Sequence, residues 1–351
     1  MRINAYIKTI HYNNIKIFLI IIQQFLILLY IISKLKLNKI NESFNYEEII
    51  NDISKLNIKS KLVYENNIFS IIRIQCETCG LFSYYKQSIS CIIKNIINGN
   101  IPIIDLTSTN NIFNSFKANS SNINPWEYFF EQPFGFELQN VLRNAKKIKN
   151  YLCIIDQTTP HYDSFFNYYY KIDFWHYIAN KYIPINKIII KESDIIRKNL
   201  FNGSNNILGV LARGTDFISI KPKCHPFAPD VKTIIKDIEK MDNQNKYEYI
   251  FLTTEDDNIR EKIVNAFDFK IKYFIYSKPI KYNYSKNANK NYLAFNENIK
   301  GNLEYMKIYL INIIILSKCL DIIAARTNGS IGAFIMSNGF RYRKVYLLGN
   351  Y

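Results

Sequence analysis

Apolar positions along this chain fall into two kinds of run. Short runs rich in Ile, Val and Phe occupy residues 69–74, 101–106, 207–212, 249–254, 271–275 and 321–325, and read as buried strands. Residues 153–156 add one more candidate. Between them, apolar residues recur at helical spacing over residues 81–97, 173–183, 230–241, 258–266 and 301–316, and a Gly-rich turn leads into residues 330–336. Pro184 stops the second of these helices, and residues 193–202 form another, with Ser193 as N-cap and Gly203 closing it. Strand and helix alternate on both sides of a polar hinge, Ser204-Asn205-Asn206, which is the order of parallel sheets covered by helices. The expected fold is α/β, with one Rossmann-like unit over residues 41–203 and a second, nucleotide-binding one over residues 204–351.

Residues 1–40 stand apart. Residues 17–33 carry no charge, are almost wholly Ile, Leu, Phe and Tyr, and are flanked by Lys16 and by Lys34, Lys36 and Lys39. A full membrane span takes about 20 apolar residues, and snorkelling lysines complete a stretch of this length. No small-residue cleavage site follows, which favours an N-terminal membrane anchor over a removed signal peptide or a core helix. Basic residues balance on the two sides, so orientation is not legible. Residues 42–56 read as an amphipathic connector.

At 351 residues the chain is long for one core, and with 48% hydrophobic residues against 11 Gly and 9 Pro it is not a disordered chain. Its net charge of +16 favours phosphates, acidic glycans and anionic lipid heads as partners. Because that charge is spread along the chain without a basic stripe, nucleic acid is not the expected partner. The six cysteines, at 76, 79, 91, 153, 224 and 319, are too scattered for a disulfide framework. Cys76 and Cys79 form a C-x-x-C with no second ligand pair for zinc, and read as two thiols packed in a loop rather than as a redox motif. No metal site is expected.

The chemistry concentrates at residues 208–217, where an apolar run ends in Arg213, Gly214, Thr215 and Asp216. Ligands of open α/β sheets sit outside the carboxyl ends of the strands, and an Arg there binds phosphate oxygens bidentately at any working pH. The alternative is a structural Arg–Asp pair capping the strand. Two more loops end strands of the same unit: one holds Glu255 and Asp256, suited to a ribose or base, and the other Arg326, Thr327, Asn328, Gly329 and Ser330. The last precedes a helix, whose first N–H groups suit a diphosphate. In the first unit, Gly80 stands at a loop-to-helix step, and residues 107–124 read as a long surface loop. The segment after that loop sets Glu127 and Glu131 among Trp126, Tyr128, Phe129 and Phe130. That composition fits a sugar platform; the alternative is core packing with two surface glutamates.

Taken together, these motifs resemble the GDP-fucose fucosyltransferase superfamily over residues 70–351, and within it a bacterial group of surface-polysaccharide glycosyltransferases. Gly209-Val-Leu-Ala-Arg-Gly-Thr-Asp216 is similar to the family's Gly-Val-His-Val-Arg-Arg-Thr-Asp. His225-Pro226, the Leu-Thr-Thr-Glu-Asp ending at Asp256, and Leu316-Ser317 follow in the family's order, while Cys79-Gly80-Leu81 and the Trp126 segment match its acceptor side more loosely. The resemblance implies a GT-B-like pair of Rossmann-like domains facing a cleft, behind an N-terminal hydrophobic helix. It further implies an inverting, metal-independent transfer from a GDP-sugar to a polysaccharide or glycolipid, with no cofactor. Arg213 would hold the leaving diphosphate, with Thr215, Thr327, Asn328, Gly329 and Ser330 beside it and Glu255 and Asp256 near the nucleoside. Leu211, Gly214, Phe217 and Lys221 replace the family's His, second Arg, Lys and downstream Glu. The catalytic base is therefore open among Asp216, His225, Glu127 and Glu131. The competing function is a non-catalytic, basic, membrane-associated protein that binds sugar nucleotides or anionic glycans and lipids.

Overall fold

A computed structural model describes residues 63–76, 79–107, 111–113, 124–153, 159–167, 169–214, 216–219, 221, 223–267, 270–273 and 302–351, with the backbone alone at 169–171, 216 and 219. The expected anchor at 17–33 and the connector at 42–56 lie outside these residues. Among the described residues no helix is long and apolar enough to cross a membrane.

The first half builds a three-stranded sheet from β1 (Ile68–Arg73), β2 (Asn100–Asp105) and β3 (Ile148–Leu152), in the order β2-β1-β3 and all parallel. Helix α1 (Leu81–Ile97) crosses from β1 to β2 over the span its apolar spacing predicts, and the turn at Gly99 (φ +68) closes it. Arg73 ties the three strands at their carboxyl ends, its Nε 3.1 Å from Asp105 Oδ2 and its Nη1 2.8 Å from Asn150 Oδ1. Between β2 and β3 run α2 (Pro125–Phe129) and α3 (Leu138–Asn144). Asn124 roots α2: its buried amide accepts from Leu106 N and Trp126 N and donates to Ile104 O at 2.6 Å.

Several expectations for this half are corrected. Of the strand expected at 153–156, Cys153 lies just past the end of β3 at Leu152, and residues 154–156 lie outside the described residues. The surface loop expected at 107–124 is buried at Asn111–Phe113 and at Asn124, and most of its remainder lies outside the described residues. The cysteines pair: Cys76 with Cys79, and Cys91 with Cys153 across a sequence separation of 62. Scatter in sequence misleads here because parallel pairing of β3 with β1 carries Cys153, whose N–H bonds Arg73 O at 3.1 Å, next to α1. Cys224 is exposed and free, and Cys319 is buried and free.

Two helices lead out of this half, α4 (Tyr169–Tyr182) and α5 (Lys187–Phe201). The N-cap of α5 is Asn186, which accepts from Ile188 N at 3.0 Å; Ser193 is instead a buried mid-helix residue whose hydroxyl donates to Ile190 O. Asn202 and Gly203, at φ 50 and 82, end α5 by left-handed turns.

The second half begins with β4 (Ile207–Leu211) and adds α6 (Val231–Asn245), β5 (Tyr249–Thr253), α7 (Asp257–Phe267), β6 (Ile271–Lys272), α8 (Leu303–Ser317), β7 (Asp321–Ala324), α9 (Asn328–Met336) and β8 (Arg343–Val345). Its five strands are parallel in the order β6-β5-β4-β7-β8. Strand β6 is described only to Lys272, short of the expected 275. The β8 strand escapes a hydropathy reading because two of its three residues are basic.

The halves share one core, from Ile72 on β1 to Ile335 on α9, because α8 and α9 pack on α5, α4 and α1. At Gly332 a Cβ would stand 2.2 Å from the Phe82 ring, so glycine is what lets α9 meet α1 there.

Candidate functional site

The chain steps outward from β4 to β5 and β6, then returns to the other side of β4 with β7. That reversal opens a crevice beyond the carboxyl ends of β4 and β7, where ligands of doubly wound sheets bind. Two of the three loops singled out in the sequence leave from those ends, and the third leaves β5 alongside.

Arg213 follows β4 and lies 3.2 Å from Glu255 Oε1 in the loop after β5, with the two side chains 19% and 15% exposed. Gly214 N donates to the same Glu255 oxygen at 2.9 Å, and the guanidinium stacks 4.9 Å from the centre of the Phe217 ring. A Cβ on Gly214 would stand 2.3 Å from Asp256 Oδ2, so the residue in place of the family's second Arg is a glycine the local packing requires. Asp256 caps α7, accepting from Ile259 N at 3.1 Å. Beneath the pair, α8 presents Tyr305 and Tyr309; burial pushes the Tyr305 hydroxyl up to about 12 and that of Tyr309 higher, with the Arg213 and Glu255 charges acting on both.

The loop after β7 meets the same floor, since a Cβ on Gly329 would stand 2.2 Å from the Tyr309 hydroxyl. Thr327 and Ser330 form a capping box at the start of α9: Thr327 Oγ1 accepts from Ser330 N at 3.1 Å and Ser330 Oγ accepts from Thr327 N at 2.8 Å. Their hydroxyls are thus engaged within the helix end, whereas the first N–H groups of a helix have no intrahelical partner. Asn328 Oδ1 is buried without a partner among the described residues. Thr215 and the side chain of Asp216 lie outside the described residues; the Asp216 backbone opens a single helical turn, Asp216–Ser219. His225 packs edge-on against Phe217 at 5.6 Å, its Nδ1 3.1 Å from Lys223 O.

Of the acceptor-side residues, the platform expected around Trp126 and Glu127 is corrected. Trp126, Phe129 and Phe130 are fully buried, so they are core and not a sugar platform. Glu127 is a structural acceptor, taking bonds from Leu138 N and Gln132 Nε2, each at 2.9 Å. Glu131 is half exposed and 3.7 Å from Lys187, which stands at the start of α5. Gly80 is the N-cap of α1 and faces open space.

Sequence reasoning missed a second cluster, made where the halves meet. Lys86 on α1 is 4% exposed, and among the described residues neither a hydrogen bond nor an ion pair engages its ammonium. Its Nζ lies 5.2 Å from the centre of the Tyr162 ring, and burial lowers its pKa to about 8 against the opposing charge of Asp163. His161 Nδ1 is 3.4 Å from Asp163. Burial holds His161 below the ordinary imidazole range, helped by Lys86, Arg326 and His225 and opposed by Asp163. Arg326, from the loop after β7, is buried; it donates to Gly349 O at 2.6 Å and to Asn350 Oδ1, and lies 3.5 Å from Asp163, while its Nε has no partner among the described residues. Tyr162 donates to Cys224 O at 2.9 Å. Nothing in the spacing signals this grouping, because Lys86 reads as the polar position of an amphipathic helix and His161 as a loop residue. Among the described residues, no group of three or more His, Cys, Asp or Glu is placed to hold a metal.

Fold and site define a parallel α/β protein with Arg213 and Glu255 at the switch point of its second sheet and a buried cationic cluster where its two halves meet. No protein-family model matches the chain, and no curated protein matches it. Among solved structures it is similar to a NodZ α-1,6-fucosyltransferase soaked with GDP-fucose, at 12% identity and TM-score 0.42 over 78% of this chain and 93% of that one. It is similar also to POFUT1 in complex with GDP-fucose, at 8% identity and TM-score 0.47 over 81% and 99% of the chains. A mutant of Arabidopsis thaliana FUT1 in complex with GDP gives 8% identity and TM-score 0.48 over 88% and 75%.

Proposed function

We propose that this chain is a glycosyltransferase of GT-B type that transfers a sugar, fucose in the first instance, from a GDP-sugar to a polysaccharide or glycolipid hydroxyl with inversion. Its donor unit is residues 204–351 and its acceptor unit residues 41–203. The observation that carries this reading is the Arg213–Glu255 pair at the switch point, in a motif similar to the family's Arg-Arg-Thr-Asp. In the reaction the acceptor hydroxyl oxygen bonds to the anomeric carbon as the bond from that carbon to the diphosphate oxygen breaks, and the hydroxyl proton passes to a general base, for which Asp216 and His225 are the candidates. Arg213 neutralises the charge that develops on the leaving GDP, and Glu255 and Phe217 hold its guanidinium in place beforehand. The N–H groups opening α9 supply further donors. Thermal-shift measurements with GDP, UDP and CMP test the reading: GDP is expected to stabilise the protein, and Arg213→Ala to abolish the shift. No stabilisation by any nucleotide, or an undiminished GDP shift in Arg213→Ala, would overturn it.

A second reading, a sugar-nucleotide binder without turnover, draws support from the engagement of Thr327 and Ser330 in their own capping box. Release of GDP from GDP-fucose in the presence of candidate acceptors separates the two. The apolar stretch at 17–33 supports work at a membrane; a protein that stays with the soluble fraction after cell lysis would remove that part of the proposal.

A further inference from the structure

A lysine removed from water and left without a carboxylate partner is costly, and folds keep such groups where a ligand completes them. Lys86 is such a lysine, and its setting is asymmetric in charge. Beside it stand the Tyr162 ring, His161 and the carboxylate of Asp163, and these in turn adjoin Arg326, His225 and Cys224. Asp163 is already shared, lying 3.5 Å from Arg326 and accepting from Asn350 Nδ2 at 2.9 Å. Arg326 in turn spends its Nη2 on neutral oxygens. Among the described residues the cluster therefore holds two cations against one carboxylate, beside the loop that opens α9, and Arg326 Nε is a buried donor left unpartnered there.

We infer that Lys86 is a substrate-binding residue, reaching across from α1 to the diphosphate of the nucleotide donor so that the anion is held between Lys86 and the loop that begins at Arg326. This rests on the donor assignment above and deepens it, since it makes the donor site a product of both halves. Affinity then has a distinctive pH dependence. Only the protonated ammonium attracts the anion, so binding is expected to weaken as pH rises through about 8, where burial has brought the Lys86 pKa. His161 is neutral throughout that range, because its own pKa is lowered.

The experiment is calorimetric titration of GDP and of inorganic pyrophosphate into the full chain, as wild type, Lys86→Met, Lys86→Arg and Arg213→Ala, between pH 7 and 9.5. Both ligands are expected to bind at least about tenfold more weakly to Lys86→Met at pH 7, a loss of about 1.4 kcal/mol. Lys86→Arg is expected to restore most of the affinity and to flatten the fall above pH 8, because it keeps His161, Tyr162, Asp163, Cys224, His225 and Arg326 while fixing the charge. Wild-type affinity in Lys86→Met, or parallel pH profiles for wild type and Lys86→Arg, would overturn the inference. If Arg213→Ala loses GDP while Lys86→Met keeps it, the donor reading survives and Lys86 is excluded. If the wild type binds neither ligand, both readings fall.

Discussion

Lys86→Met should stabilise the protein, and by an amount that depends on pH in a known direction. The lysine is 4% exposed and its pKa falls from an ordinary 10.5 to about 8. Each pKa unit corresponds to about 1.4 kcal/mol of preference for the neutral form, so carrying the charge in the folded state costs about 3 kcal/mol at pH 7. Below pH 8 both folded and unfolded chains are protonated at this site and the penalty is fully present. Between 8 and 10.5 the unfolded chain binds the proton that the folded chain has lost, and stability rises with pH. By the same relation the penalty shrinks to about 1.5 kcal/mol at pH 9.5. Methionine has nearly the same length, fills the same space beside Tyr162 and carries no charge. Urea denaturation of wild type and variant at pH 7, 8 and 9.5 reads the difference directly, and the subtraction cancels every other group that titrates in both proteins. A variant less stable than wild type at pH 7, or a difference that does not shrink with pH, would show that the ammonium is solvated or paired and would refute the reasoning.

Two further perturbations probe the frame that holds the site. Gly332→Ala gains about 1 kcal/mol of helix propensity but sets a methyl 2.2 Å from the Phe82 ring. That ring is itself wedged edge-on against Tyr85 and Tyr309, at 5.7 and 5.3 Å, and has nowhere to retreat. Overpacking of about 1–3 kcal/mol should therefore offset or outweigh that gain, giving a net loss of up to about 2 kcal/mol in urea denaturation that Phe82→Leu in the same chain relieves. Removing the Cys91–Cys153 bridge as the Cys91→Ala, Cys153→Ala pair frees a loop of 62 residues in the unfolded chain, and a fall of about 4 kcal/mol in unfolding free energy is expected. An unchanged denaturation midpoint would mean that the bridge does not restrain the unfolded chain.

What the sequence made legible was local. Helix α1 could be placed to the residue because its apolar spacing is uninterrupted from Leu81 to Ile97 and a turn at Gly99 follows. The three loops of the second half could be placed on one sheet edge because each follows a buried strand and those strands are parallel. Errors began where a residue type has two uses of similar frequency. Ser193 has the chemistry of an N-cap, but the apolar face of α5 continues six residues upstream to Lys187, and a buried mid-helix serine can satisfy its hydroxyl on Ile190 O. Trp126 and Glu127 have the composition of a sugar platform, but a glutamate beside a buried aromatic serves equally to satisfy the backbone of the next element, as Glu127 does for Leu138 N.

The site itself was half legible, and the division has a physical cause. Arg213 and Glu255 follow adjacent parallel strands of one sheet, so strand order alone brings them together, and a reading of strand ends finds both. Lys86 and Arg326 come from different sheets, and their meeting depends on α1 lying against α9, which is set by the absence of a side chain at Gly332 and by the Phe82 ring that fills the space. No periodicity encodes that contact. Yet the contact brings a buried ammonium beside Tyr162 and Asp163, in the same group as Arg326 of the loop after β7. The Arg213–Glu255 pair is close to neutral on its own; under the proposed assignment it would give a diphosphate geometry more than net charge, and Lys86 and Arg326, with Asp163 as their opposing carboxylate among the described residues, would supply the charge. On the proposed assignment such a site would bind its anion only with the halves packed together, so loosening Gly332–Phe82 should weaken anion binding as well as the fold.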